Sequence, residues 1–78
     1  MRPKQTRLIV SFPTTTAAIA MERWCLAHQI PGRLIPIPRE ITAGCGMAWS
    51  APPENKDAVL SAAKGGGIDI DGTYVLTI

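Results

Sequence analysis

The sequence segment "ITAGCGMAW", residues 41–49, places Cys45 between two glycines and just ahead of an apolar run. A thiol attacks or accepts a sulfur atom only as the thiolate, so it needs access and a local positive field. Gly44 and Gly46 offer the access, because residues without side chains let another molecule approach closely. They also free the backbone to turn amides toward a sulfur anion, as in anion-binding nests. Arg39, on the same loop, could supply the charge. The same residues also fit a plainer role, in which Cys45 is a small apolar residue entering a strand and the glycines serve only the turn.

The second thiol reads differently. Ala18, Met21, Cys25 and His28 recur at spacings of three and four, with Trp24 beside them, which puts them on one apolar helix face. Free cysteine behaves there as a small buried hydrophobe. His28, near the helix end, suits packing, or favourable interaction with the helix dipole when charged. Cys25, His28 and Cys45 could converge on a metal only by folding, because the chain has no C-x-x-C pair. A ferredoxin-like metal chaperone would carry two cysteines in its first loop, which reads "SFPTTT" here. No metal and no cofactor are therefore expected. Phe12 and Trp49 do not form the basic-aromatic pattern of an RNA-binding sheet. The threonines could bind an anion through free helix amides, but capping explains them equally well.

The elements that must hold these residues follow from pattern. "RLIVSF", 7–12, reads as a buried strand, and Pro13 stops it. One of Thr14, Thr15 and Thr16 caps the helix that runs through "AAIAMERWCLAHQ". Glu22 and Arg23 take its outer side, and "IPG", 30–32, ends it. "RLIPIP", 33–38, is a second strand, whose prolines lack a donor and so place it at a sheet edge or end it early. "REITAG" is a loop. "CGMAWSA" is a third strand, with Met47 and Trp49 on one face and Ala48 and Ser50 on the other. Pro53 suits the first turn of a second helix. Val59, Ala62 and Ala63 face inward on it, and "GGG", 65–67, terminates it. "IDIDGTYVLTI" gives a last strand, with Ile68, Ile70, Tyr74, Leu76 and Ile78 alternating imperfectly across an Asp-Gly turn or bulge. The order β-α-β-β-α-β is the ferredoxin-like split βαβ pattern. It is an α+β fold with a four-stranded antiparallel sheet and two helices on one face.

The 78 residues make one small domain, 1–78, without internal linkers. A hydrophobic fraction of 46% and a charged fraction of 18% fit a packed fold rather than a disordered chain. A partner copy could add to a stability margin of a few kcal/mol. Net charge is +2 with scattered Lys and Arg, which is no nucleic-acid footprint. No apolar run approaches the roughly 18 residues that span a bilayer. With no secretory signal and only two cysteines, a cytoplasmic, reduced setting is expected.

At "IPGRLIPIPREITAGCGMAW" the chain resembles a family of small bacterial domains described as selenium/sulfur carrier-like proteins. The matching residues are Ile30-Pro31, Arg33 to Pro36, Pro38 to Ile41, then Thr42, Ala43, Gly44 and Cys45-Gly46. The resemblance implies a compact domain with Cys45 as its site, carrying sulfur or selenium as a persulfide or selenopersulfide. It implies a donor protein and an acceptor protein as partners, and a carrier rather than a turnover enzyme. Arg39 is then the candidate for charge near the sulfur and Gly46 for approach. Arg33 is a weaker candidate, as is Glu40, which could orient Arg39. Two other readings stay open. One is a ligand-sensing or protein-interaction domain without sulfur chemistry, and the other is a thiol-dependent enzyme that lacks an evident base.

Overall fold

The computed structural model describes residues 5–41 and 45–78. β1 (Thr6–Ser11) gives way to α1 (Thr15–His28). Thr14 is the cap that the sequence leaves undecided: its backbone is extended and its hydroxyl oxygen accepts from the Ala17 N–H at 3.1 Å. α1 stops at His28, before the Ile30–Gly32 segment expected to end it. Gln29 takes the left-handed conformation usual for a helix end (φ 56°), and the Ile30 N–H reaches the Cys25 carbonyl at 2.9 Å. β2 (Arg33–Pro36) and β3 (Met47–Ala51) follow. Pro53 opens a single 3-10 turn, Pro53–Asn55, rather than α2 itself (Lys56–Gly65). Gly67, at φ 63°, closes the far end of α2. β4 (Gly72–Thr77) is shorter than the sequence suggests, with Ile68 to Asp71 lying outside it.

The four strands form one sheet in the order β2-β3-β1-β4, with every neighbouring pair antiparallel. This is the ferredoxin-like arrangement that the element order implies. β2 is an edge strand, and its hydrogen bonding explains why proline is tolerated there. The Ile37 N–H donates to the Gly46 carbonyl at 2.9 Å. By alternation Ile35 and Arg33 also face β3, and Leu34 and Pro36 face away. The donor that Pro36 lacks would have pointed off the sheet.

Both helices pack on one face. Leu8 and Val10 of β1, Phe12 just past its end, and Trp49 and Ala51 of β3 meet Ala18, Met21 and Cys25 of α1 and Val59, Ala62 and Ala63 of α2. Of the residues expected on the inward faces of the two helices, all but His28 are there. A second, smaller cluster covers the opposite face, where Ile9, Ala48 and Ile41 are buried and Ile35, Ile37, Tyr74 and Leu76 pack around them. β1 is therefore buried on both sides, and burying Ile9 contributes about 2 kcal/mol on the outer face. Ile68 and Ile70 belong to the helix-side core, whereas Tyr74 and Leu76 belong to the outer cluster. The chain switches faces between these pairs, which accounts for the imperfect alternation.

Two glycines make room for the two tryptophans. A Cβ on Gly66 would lie 3.1 Å from the Trp24 ring. At Gly32, which has φ 127°, a Cβ would lie 2.5 Å from Trp49 Nε1 and 2.7 Å from the Ser50 carbonyl oxygen. Trp49 is fully inside, and its indole N–H has no hydrogen-bond partner among the described residues, at a cost of about 1–3 kcal/mol that the buried ring offsets. Gly46 also has positive φ, at 93°, but a Cβ there meets nothing within 4 Å. The two sites should respond unequally to alanine. Gly32→Ala should cost roughly 3 kcal/mol, from overpacking plus strain. Gly46→Ala should cost about 1 kcal/mol, from backbone conformation alone. Urea unfolding followed by circular dichroism checks this; equal costs would contradict the packing described.

Candidate functional site

Cys45 is placed by backbone hydrogen bonds rather than by its side chain. Its N–H donates to the Phe12 carbonyl at 3.0 Å, and the next carbonyl, Gly46, accepts from Ile37 at 2.9 Å. The residue therefore bridges the end of β1 and the end of β2, just before β3 begins. Gly46 turns the chain into β3 through its positive φ. Its role is conformational, and a Cβ there would meet nothing within 4 Å among the described residues. The Cys45 side chain is half-buried and leans on the helix-side core. Its only hydrogen-bond contact among the described residues is a weak one to the Met47 carbonyl, at 3.8 Å.

The end of the sheet that holds Cys45 also holds the start of α1. β1 ends at Ser11, paired with Ala48 near the start of β3, and α1 begins at Thr15. The Ala17 and Ala18 amides are taken by the Thr14 hydroxyl and carbonyl, at 3.1 and 3.2 Å. Those of Thr15 and Thr16 belong to the first turn, which has no intrahelical acceptors. The positive end of the α1 dipole therefore lies at the thiol end of the molecule.

The other candidates are spread out. Arg39 and Glu40 are exposed on the turn closed by the Ile41 N–H to the Pro38 carbonyl, at 3.0 Å. Ile41 anchors this turn in the outer-face cluster, whereas Cys45 leans on the opposite, helix-side core. Arg33 is exposed and pairs with Ser50, while Pro36 pairs with Met47 beside the thiol. Arg33 thus stands at the far end of β2, roughly 10 Å along the strand. Gly44, with Thr42 and Ala43, lies outside the described residues. Among the described residues no three of His, Cys, Asp and Glu come together to hold a metal ion.

The two thiols have opposite environments. Cys25 is 1% exposed, and burial pushes it up from 9.0 to about 11. His28 does not share that interior: it is exposed at the end of α1 and stacks on Trp24, with ring centroids 4.2 Å apart. A neutral thiol reagent should label one cysteine per folded chain, Cys45, and both only after unfolding; equal rates would contradict the structure. Because the Cys25 proton is held more tightly in the folded state, its contribution to stability is complete below pH 9. It is lost as the pH rises through about 11, amounting to roughly 2–3 kcal/mol. Cys25→Ala should flatten the stability profile across that window, measured by denaturant titration.

Sequence reasoning did not anticipate the outward face of α1. Thr16, Ile19, Ala20 and Arg23 line a shallow groove of about 280 Å³ there. Ile19 is 43% exposed and Leu26 73%. The signal was present, because apolar residues fall on both sides of that helix. Among the described residues, no helix is long and apolar enough to cross a membrane. Compared with known proteins, the chain matches the model of a family described as "Putative Se/S carrier protein-like" over residues 7–75. No curated protein and no solved structure matches it.

Proposed function

The chain belongs to the Se/S carrier protein-like family, and from that premise we propose that Cys45 is the atom-carrying residue. The observation that carries the reading is the contrast between the two thiols. Cys25 is sealed in the core, and Cys45 alone reaches the surface. It does so at a backbone turn where a Cβ on Gly46 would meet nothing within 4 Å among the described residues.

The transfer is a thiol exchange. Cys45 gives its proton to solvent, and the thiolate attacks the outer sulfur of a donor protein's persulfide. The donor's S–S bond breaks and its cysteine leaves as thiolate. Cys45 then bears the terminal S–H, or Se–H where the donor carries a selenopersulfide. No electrons enter or leave. An acceptor's thiolate removes the atom by the same exchange in reverse. The nearby start of α1 favours negative charge on the carried atom by about 0.3–1 kcal/mol. Arg39, exposed on the turn that Ile41 closes, is the side chain that would add positive charge near the carried atom, and its substitution should slow loading less than that of Cys45. Arg33, at the far end of β2, is outside this mechanism.

Intact mass after exposure to a cysteine desulfurase with cysteine, or with selenocysteine so that the donor bears a selenopersulfide, tests the reading. Wild type should gain a sulfur- or selenium-sized adduct. Cys45→Ser should gain none while keeping its fold, and Cys25→Ala should still load. Gly46→Val should load poorly through strain at positive φ, about 1–3 kcal/mol, with a matching loss of stability. A second reading, an interaction domain without sulfur chemistry, draws support from the exposed Ile19 and Leu26 on α1. It takes over if wild type gains no adduct or Cys45→Ser gains as much.

A further inference from the structure

The outer edge of β4 is not used by the sulfur chemistry. Gln5 and Ile78 exchange both backbone hydrogen bonds, each at 3.0 Å. In an antiparallel ladder, pairs that bond to each other alternate with pairs that face away. In the β1–β4 register, Leu76 and Tyr74 therefore turn their N–H and C=O groups toward β1, and Thr73, Val75 and Thr77 turn theirs outward. Among the described residues β4 pairs with β1 alone. The strand Gly72–Thr77 contains neither a charge nor a proline, the usual devices that blunt a free edge. Val75 is 57% exposed although it sits directly opposite buried Leu8.

We propose that this edge is completed by a second copy of the chain, β4 against β4, antiparallel about a two-fold axis through Val75. In that register Val75 faces the partner's Val75, and Thr73 faces the partner's Thr77. Every outward N–H and C=O of the strand then meets an outward group. An axis through Tyr74 would pair only Thr73 with Val75, and one through Leu76 only Val75 with Thr77, each leaving one outward residue of the strand without a partner in it, while one through Thr73 or Thr77 would leave most of the strand unpaired. The side chains agree with the backbone. Val75 pairs with its own copy on the helix face and Tyr74 with the partner's Leu76 on the outer face, while threonines meet at both ends. Such cross-strand pairs contribute about 0.2–1 kcal/mol each, and no like charges are brought together. This self-complementarity selects a second copy over a foreign strand.

Six residues per copy give an interface well short of the roughly 800 Å² per partner of a standard stable complex. The pair is therefore reversible and concentration-dependent. It does not depend on the role of Cys45.

Sedimentation of the 78-residue chain from about 5 μM to about 1 mM tests the proposal. The weight-average mass should rise from 8.3 kDa toward twice that value, and exchange of the Val75 amide should slow over the same range. Val75→Pro removes an outward N–H and no bond to β1, so it should keep its circular dichroism spectrum and associate at least tenfold more weakly. Should that variant unfold, Val75→Lys sets two like charges at the axis and should give the same loss. Leu26→Glu, on the exposed face of α1, should associate like wild type. A wild type that stays monomeric throughout overturns the proposal. So does undiminished association of folded Val75→Pro or Val75→Lys, or loss of association in Leu26→Glu.

Discussion

The position of the thiol depends on one carbonyl group, that of Phe12, at the end of the central strand. Its ring is fully buried in the helix-side core, so its backbone cannot drift. Pro13 ends the strand immediately afterwards, which turns the chain aside and leaves that carbonyl to receive the Cys45 N–H. One residue earlier, the Ser11 carbonyl receives the Asp71 N–H at 2.8 Å. The segments that enter β3 and β4 are thus both tied to the end of β1. A single backbone hydrogen bond adds only about 1 kcal/mol net, but here its acceptor is fixed by core packing. The consequence is a reactive-type residue held by the main chain, with its side chain left to lean and turn.

Most of the architecture was legible because the punctuation and the periods agree. Pro13, the threonines, Pro36 and Pro38 and the glycine run mark the element ends, and the inward residues of both helices fall at helical spacing. The faces of β3 were legible for the same reason: period two leaves no choice once Trp49 is placed inside. What escaped was longer in range. Gln29 in a left-handed conformation carries no glycine signal. The outer-face cluster joins Ile41 to Ile9, residues far apart in sequence that only the sheet register brings together. The glycine run reads as a helix stop, whereas Gly66 also admits the Trp24 ring.

The thiol site was legible in type and less so in its surroundings. The buried state of Cys25 follows from helical spacing. The half-buried state of Cys45 goes with Gly46, whose positive φ turns the chain there. The charged residues nearest to Cys45 in sequence are another matter. Ile41, which closes the turn that carries Arg39, is buried in the outer-face cluster, and Arg33 stands a full strand away from the thiol. The start of α1 lies at the thiol end of the sheet, a backbone feature that residue types alone do not display.

The proline of β2 has a consequence for how such molecules can assemble. A sheet with two open edges can add copies at both, and such growth has no natural end: it yields ribbons and fibres. Here Pro36 removes a donor from one edge, while β4 leaves its edge intact. Addition is disfavoured on the β2 side, and a pairing of two β4 strands would leave only blunted edges outside. One missing hydrogen atom thus weakens the edge at which a second addition would begin.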